Sequence, residues 1–317
     1  EREREVRLWG NVIWGRWERK GEDFLPVVIS VGAVPYSSDG AVAGGVDSAV
    51  LPLPLAGSYL LQDREERWEV YAVSIVGPFP TPVTNLLDLT RLDLHNNKLT
   101  GPIPPQIGRL KHLKSLNLRW NKLQDVIPPE IGELKKLTHL HLSFNNFKGE
   151  IPKELANLPE LRYLYLHENH FVGKVPPELG NLQNLQHLDV SNNRLTGTIR
   201  DLIRITGDCF PSLRNLYLNN NQLGGGIPEQ LSNLTNLEIL YLSYNKMSGT
   251  IPARLAQIPR LTYLYLDHNS FSGRIPDALY KHPFLKELYI EGNQFKPGTK
   301  AKGTHKVLEV SDTEFLF

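Results

Sequence analysis

The sequence is poor in cysteine and methionine, has no excess of charge of either sign, and lacks long apolar runs. Its 317 residues include 1 cysteine, 1 methionine, 35 basic and 34 acidic side chains, which gives a formal net charge of +1. With Cys209 alone, no internal disulfide can form. The balanced charge argues against nucleic-acid binding, which requires a basic face. The longest apolar stretches, such as residues 46–55, are broken by proline and charge. None reaches the roughly 20 residues that span a membrane.

Catalytic signatures are also missing. The patterns GxSxG, HExxH, GxxxxGK and CxxC do not occur. Asp189 could act as an acid–base partner of His167 and His187, but no nucleophile or enclosing cleft accompanies these residues. His139 and His141 lack the third and fourth ligands that a metal ion requires. We therefore expect a protein that is not an enzyme and that holds no cofactor and no metal.

What the sequence does contain is a repeated unit of 24 residues. Read from Leu92, the unit is Leu-x-Leu-x-x-Asn-x-Leu-x-Gly-x-Ile-Pro and ends this pattern at Pro104. Only the unit that starts at Leu188 is longer, with 28 residues. A fixed period in this range with this pattern is the signature of leucine-rich repeats. The first position of the ten units is occupied by Trp68, Leu92, Leu116, Leu140, Leu164, Leu188, Leu216, Leu240, Leu264 and Leu288.

The pattern inside one unit predicts its fold. Two leucines that alternate with polar residues indicate a short strand with one buried face. Because one unit cannot bury its leucines alone, neighbouring units must stack. The asparagine, as at Asn97, should hydrogen-bond backbone groups of adjacent turns. The segment Gly101–Pro104 turns the chain toward the outer wall. The prediction is an α/β repeat solenoid, a leucine-rich repeat horseshoe or superhelix with a parallel concave β-sheet and short convex 3-10 or helical segments.

The Gly-x-Ile-Pro motif within a 24-residue unit resembles the plant-specific class of leucine-rich repeat. That class includes receptor-like kinase ectodomains, polygalacturonase-inhibiting proteins and secreted repeat-only proteins. The resemblance is to a repeat-only member, since no kinase signature follows the repeats. It implies recognition of peptides, carbohydrates or other proteins, with a location at the cell surface or in the cell wall. The motif recurs at Gly101–Pro104, Gly149–Pro152, Gly173–Pro176, Gly225–Pro228, Gly249–Pro252 and Gly273–Pro276.

Three segments make up the chain. Residues 68–295 hold the ten repeats, and residues 296–317 form a tail that should cap the last repeat. Residues 1–67 are divergent, and we expect them to be poorly ordered. Plant relatives carry an N-terminal cap with a cysteine pair after a signal peptide, and the charged start of this chain resembles neither. An intracellular location therefore stays open beside the extracellular one.

The long unit departs from the others between Arg200 and Pro211. It has four extra residues and no proline after Ile199. This predicts a longer convex segment, with a true helical turn that ends near Gly207. A tolerated loop insertion and a local partner site are both open readings. We expect Cys209 in this segment to be a shielded thiol, since no activating motif surrounds it.

The exposed strand positions identify the candidate binding face on the concave wall. Tyrosine supplies rigid apolar area with a polar tip and is enriched at binding hot spots. A cross-strand ladder that stabilises the sheet is the alternative role, and the two roles are compatible. Histidines on this wall also suggest that affinity for an acidic partner rises as the pH falls. The candidate ligand-binding residues are Tyr165, Tyr217, Tyr241, Tyr244, Tyr263, Tyr265, Tyr289, His95, His141, His167, Trp120 and Phe144.

These observations predict a non-catalytic recognition module in plant cell-surface signalling or defence. Its partner would be a protein or peptide, including a receptor kinase or a cell-wall enzyme, or else a glycan. An inhibitor of a cell-wall hydrolase and a scaffold without a specific ligand are the alternatives. The sequon Asn233-Leu-Thr235 predicts N-glycosylation at Asn233 on the outer wall if the protein is secreted.

Overall fold

The computed structural model describes residues 74–203 and 209–296, together with the backbone of four strands that precede them. Three of these strands, Arg4–Arg7, Val12–Lys20 and Asp23–Gly32, form an antiparallel sheet. The rest of segment 1–67 and the tail beyond residue 296 lie outside the described residues. The expectations of poor order in 1–67 and of a cap in 296–317 therefore stay predictions.

The concave wall is a sheet of ten parallel strands that pair in sequence order. Adjacent strands share one register, so that Leu92 pairs with Leu116 and Leu164 pairs with Leu188. In the nine strands whose side chains are described, the central leucine is fully buried. The predicted repeat solenoid is thereby confirmed. The strands are Arg67–Glu69, Arg91–Asp93, Ser115–Asn117, His139–His141, Tyr163–Tyr165, His187–Asp189, Asn215–Tyr217, Ile239–Tyr241, Tyr263–Tyr265 and Glu287–Tyr289.

The convex wall has one short helical turn in each of the first nine units, as predicted, and the convex segment of the tenth unit lies outside the described residues. A proline precedes every turn except one, because it ends the extended segment with a fixed φ and cannot donate a hydrogen bond there. Two of the turns, Ile199–Leu202 and Asp277–Tyr280, are α-helical. The others are the 3-10 helices Thr81–Asn85, Pro105–Arg109, Pro129–Glu133, Lys153–Asn157, Pro177–Asn181, Glu229–Asn233 and Ala253–Gln257.

A second set of parallel strands follows the asparagines and forms two outer sheets. The Gly-x-Ile-Pro glycines end or follow these strands in the left-handed region, for example Gly101 at φ 73°. Asp125 stands at the corresponding position of its unit and adopts φ 69°. One outer sheet contains Val76–Pro78, Lys98–Gly101, Lys122–Asp125, Asn146–Glu150 and His170–Val172. The other contains Ser248–Gly249, Ser270–Gly273 and Gln294–Phe295.

The gap between the two outer sheets spans the 28-residue unit and the unit that follows it. Arg200 replaces the proline found in other units, so Ile199 is free to adopt helical φ and ψ. Thr198 caps the helix Ile199–Leu202 in a capping box with Asp201. The predicted helical turn is confirmed, but its expected end near Gly207 is wrong, because the helix ends at Leu202 and Ile203 already has extended backbone angles. Cys209 is buried, as expected for a shielded thiol.

The asparagine ladder joins each unit to its neighbours. The Asn145 amide donates to the carbonyl oxygens of Leu118 (2.9 Å), Leu142 (3.2 Å) and Ser143 (3.2 Å), and its Oδ1 accepts from the Leu123 N–H (3.0 Å). One side chain thus satisfies backbone groups of its own unit and of the preceding one. The predicted structural role is confirmed at Asn97, Asn121, Asn145, Asn169, Asn193, Asn221, Asn245, Asn269 and Asn293.

This geometry predicts the effect of removing one carboxamide. Asn145→Ala should lower the free energy of unfolding by about 2–4 kcal/mol, because buried backbone groups lose their partners. Asn146→Ala is the matched control, since the Asn146 side chain is exposed, and it should change stability by less than about 0.5 kcal/mol. Urea unfolding of both variants provides the measurement. Equal losses in the two would contradict the assigned role.

Candidate functional site

Four tyrosines stand side by side on the concave wall, one per strand. Strand register places Tyr217, Tyr241, Tyr265 and Tyr289 in one row. Successive ring centroids are 6.2, 4.5 and 4.9 Å apart, within the range of aromatic pairs. We call these four residues the tyrosine strip. The Tyr265 and Tyr289 rings are stacked and the other two pairs are tilted, and a role in ligand binding remains a prediction.

The row of rings continues toward the N-terminal units. His141 lies 4.5 Å from Tyr165, which lies 4.5 Å from His187, and His187 lies 5.1 Å from Tyr217. His187 closes the row from the adjacent column on the same face, one residue before Leu188, because Asp189 occupies the position that tyrosine takes elsewhere. Sequence reasoning placed His187 on this wall but did not include it among the candidate ligand contacts. The resulting ring ladder comprises His141, Tyr165, His187, Tyr217, Tyr241, Tyr265 and Tyr289.

Two stacked aromatic pairs flank the ring ladder where the chain leaves the strands. Trp120 stacks on Phe144 at 4.0 Å, and Tyr244 stacks on His268 at 4.2 Å. All four residues have φ between 51° and 56°, which aims their side chains alike in successive units. Trp120 and Tyr244 are each 48% exposed. The Arg119 guanidinium lies 5.1 Å from the Phe144 ring centroid, so the first pair also holds a cation.

The other predicted contacts join these rings. Tyr263 lies 6.5 Å from Tyr265 on the same strand, and His167 meets Phe144 edge-on at 5.1 Å. His95 lies apart from the ladder, with its Nδ1 2.6 Å from a carboxylate oxygen of Asp93. The structure therefore brings eleven of the twelve predicted residues into one aromatic surface or its flanking pairs and places His95 at the N-terminal end.

The hydrogen bonds of Asp189, His167 and Ser191 do not match those of a catalytic serine nucleophile. Asp189 lies 2.9 Å from His167 Nδ1, but the Ser191 hydroxyl donates to Asp189 (2.7 Å) rather than to an imidazole. A nucleophilic serine requires a base within hydrogen-bond reach of its hydroxyl. Burial tends to raise the pKa of Asp189, but hydrogen bonds from His167 and Ser191 outweigh it and lower that pKa. Asp189 therefore stays ionised.

Two histidines of the ring ladder stay neutral at physiological pH. Burial lowers the pKa of both His141 and His187 to about 4. Burial also lowers the pKa of His139. The expectation that these side chains gain charge between pH 7.5 and 5.5 is therefore wrong for His141 and His187, because desolvation penalises the imidazolium.

The tyrosine hydroxyls of the wall stay protonated and can donate. Burial raises the pKa of Tyr165, Tyr217, Tyr241 and Tyr265. The Tyr265 hydroxyl donates to the carboxylate of Glu287. The strip thus presents apolar ring faces together with neutral polar tips.

Buried polar atoms without a hydrogen-bond partner occur at the middle of the wall. Within the described part of the chain they include His187 Nε2, Asn215 Oδ1 and Asn219 Oδ1. Buried polar groups are almost always satisfied, so each such atom requires an explanation. These residues surround Tyr217 on its own strand and the preceding one.

One group of possible metal ligands occurs among residues 74–203 and 209–296. Ligand atoms of Asp267, His268 and Glu291 lie within 4.8 Å of one another. His139 and His141, which were considered from the sequence, stack with ring centroids 6.2 Å apart. Sequence reasoning missed the C-terminal group, because its members belong to two units.

Comparisons with known proteins agree with this geometry. A profile of the leucine rich repeat matches residues 112–171 and 211–271, and a second leucine-rich repeat profile matches residues 88–110 and 184–204. The chain belongs to the leucine-rich repeat family. Among curated proteins, none matches the chain.

Solved structures place these leucine-rich repeats among plant receptor ectodomains. The chain is 31% identical to the ectodomain of the receptor kinase GASSHO1/SCHENGEN3 from Arabidopsis thaliana, with a TM-score of 0.67, over 77% of this chain and 32% of that one. It is 33% identical to the plant peptide hormone receptor RGFR1, with a TM-score of 0.64, over 73% and 40%. A plant ice-binding protein is 32% identical, with a TM-score of 0.65, over 75% and 74%. The chain therefore spans less than half the length of the two receptor ectodomains.

The helices of the leucine-rich repeats are short turns. Across the described ranges, none has the length and apolar character needed to cross a bilayer.

The low pKa values of His141 and His187 predict how stability depends on pH. The unfolded chain takes up protons near pH 6.5, whereas the folded state does so only near pH 4. The stabilisation is therefore complete above pH 6.5 and is lost as the pH falls toward 4. We expect the free energy of unfolding to fall by about 1–3 kcal/mol per histidine over this window.

Urea unfolding at about pH 7 and about pH 4.5 checks this prediction. His141→Gln should reduce the difference between the two pH values, whereas His170→Gln, at an exposed position, should leave it unchanged. A pH dependence in His141→Gln as steep as in the unaltered protein would disprove the assignment.

Proposed function

We propose that the concave wall binds an extended peptide, or an extended segment of a partner protein, in plant cell-surface signalling. The observation that carries this proposal is the unbroken ring ladder from His141 to Tyr289. It crosses seven strands, about 29 Å at about 4.8 Å per strand, which corresponds to about nine residues of extended chain. Aromatic faces with polar tips suit such a ligand, because they bury apolar side chains while donating to its carbonyl groups.

The structural comparisons support the same class of ligand. RGFR1 was solved in complex with RGF2, and the GASSHO1/SCHENGEN3 ectodomain in complex with CASPARIAN STRIP INTEGRITY FACTOR 2. Because a plant ice-binding protein has a similar structure, the fold alone does not determine the ligand. The proposal therefore depends on the side chains of the wall. An extracellular location is part of it, because those receptor structures are ectodomains.

Alanine substitution in the tyrosine strip tests the proposal. A library of displayed 12-residue peptides is selected on the unaltered protein, and the tightest peptides are synthesised for titration calorimetry. Tyr217→Ala and Tyr241→Ala should each weaken binding about thirtyfold, as expected for a hot spot of about 2 kcal/mol. Circular dichroism checks that the variants remain folded.

Two controls separate binding from structure. Tyr241→Phe retains the ring and its stacking, so it should retain most of the affinity. Phe284→Ala removes a side chain that is 60% exposed outside the concave strands, and it should have no effect. Failure to select any peptide whose binding depends on these tyrosines would overturn the proposal. Inhibition of a cell-wall hydrolase through the same residues would favour the inhibitor alternative.

If the protein is secreted, it should be glycosylated at Asn233. Asn233 is exposed at the end of the convex turn Glu229–Asn233, on the wall opposite the ring ladder. When the protein is expressed through the plant secretory pathway, we expect Asn233 to carry a glycan. Mass spectrometry before and after treatment with peptide N-glycosidase detects this glycan. Thr235→Ala should abolish the modification without affecting peptide binding. Efficient secretion with an unmodified Asn233 would disprove the predicted glycosylation.

A further inference from the structure

A row of hydrogen-bond acceptors runs beside the tyrosine strip in the C-terminal units. Asn219, Ser243, Asp267 and Glu291 each lie two residues beyond a tyrosine of the strip. Backbone hydrogen bonds from Asn220 N–H to Ser243 O, Tyr244 N–H to Asp267 O and His268 N–H to Glu291 O continue the register of the strands to this position. We call these four residues the acceptor row. At about 4.8 Å per strand, the row is about 14 Å long.

Within the described part of the chain, the carboxylates around the strip have no lysine or arginine partner. No lysine or arginine in the described ranges lies within ion-pair distance, 4.0 Å, of Asp267, Glu287 or Glu291. Asp267 instead accepts from the Ser243 hydroxyl and lies 3.0 Å from His268 Nδ1, while Glu287 accepts from Tyr265. Glu287 and Glu291 therefore lie beside two aromatic rings without a basic partner in the described ranges, and Asp267 has only the His268 imidazole.

The N-terminal end of the same wall provides an internal comparison. Asp93 occupies the strip position of its own unit and is also buried. Arg91 lies 3.4 Å from one of its oxygens, and His95 lies 2.6 Å from the other. The chain thus supplies an arginine and a histidine to the buried carboxylate at one end of the wall, whereas Asp267 at the other end has only the His268 imidazole.

A buried amide gives a second and independent indication of a ligand. Asn219 is only 7% exposed, and its Oδ1 has no hydrogen-bond partner in the part of the chain that the structure describes. An unpartnered buried acceptor costs about 1–3 kcal/mol, which a donor on a ligand would recover. Asn219 begins the same row that ends at Asp267 and Glu291, so the ligand that satisfies this row carries donors.

We propose that the acceptor row binds a basic side chain, arginine or lysine, of the peptide that occupies the wall. The cationic group lies between Asp267 and Glu291, beside the tyrosine strip, and a backbone or side-chain N–H of the same peptide donates to Asn219 Oδ1. Carboxylates pair with guanidinium and ammonium groups through charge-assisted hydrogen bonds. This inference rests on the proposed peptide-binding function and specifies the chemistry of its ligand.

A coupled substitution of protein and peptide tests the inference. The 12-residue library is selected on the unaltered protein and on the double variant Asp267→Asn with Glu291→Gln. Arginine or lysine should be enriched at one position only with the unaltered protein. In the tightest synthetic peptide, replacing that residue by glutamine should weaken binding to the unaltered protein by at least about tenfold. The same replacement should weaken binding to the double variant by less than about threefold.

Controls separate the inference from its alternatives. Glu160→Gln, an exposed carboxylate outside the wall, should leave the preference unchanged. Some selected peptides could require Tyr217 and Tyr241 yet bind equally well when glutamine replaces their basic residue. That result would overturn the proposed binding of a basic side chain and leave the proposed function intact. The absence of any tyrosine-dependent peptide would overturn both. Binding that requires added Ca²⁺ or Zn²⁺ and is abolished by EDTA would assign Asp267, His268 and Glu291 to a metal and overturn the inference.

Discussion

The carboxamide of the repeated asparagine is the interaction on which the rest of this structure depends. A planar amide that bonds backbone groups of two successive units holds those units at one offset, whatever their other side chains are. At Asn145 two of the four hydrogen bonds, to Leu123 and Leu118, reach back 22 and 27 residues into the preceding unit and fix this offset, while the other two anchor the amide in its own unit. The leucines provide most of the hydrophobic stabilisation, but burial has no direction. The directional bonds convert stacked units into a wall whose columns are in register.

Register gives the wall its chemical pattern. Because neighbouring strands pair residue for residue, a tyrosine that recurs at one position of the unit becomes a row of contacting rings. A change of residue type at this position in one unit likewise changes the row at one strand. Asp189 interrupts the tyrosines, and His187 restores contact from the adjacent column. The wall can therefore vary its polarity from unit to unit while the scaffold below it remains the same.

The period of the leucines was enough to predict the solenoid, the concave sheet, the convex turns and the row of tyrosines. These features depend on one unit and on its stacking, and both are visible in sequence spacing. Contacts between particular side chains of different units could not be predicted from the spacing. The burial that keeps His141 neutral comes from rings in other units, and the contact between Ser243 and Asp267 joins side chains 24 residues apart. Arg200 was visible as a missing proline, but not the capping box formed by Thr198 and Asp201.

The break in the outer sheet has a mechanical consequence. At the other junctions among the described units, both the concave strands and the outer strands pair. The three junctions from the unit of Leu164 to the unit of Leu240 have no outer strand pair, and around Thr198 the outer side has two single bridges, Lys174 to Thr196 and Thr198 to Gly224. Backbone hydrogen bonds still cross these junctions, such as Thr196 N–H to Gly173 O and Ser248 N–H to Gly225 O, but they do not form a continuous ladder. We therefore expect the solenoid to bend most easily near its middle, next to the strand that bears Tyr217.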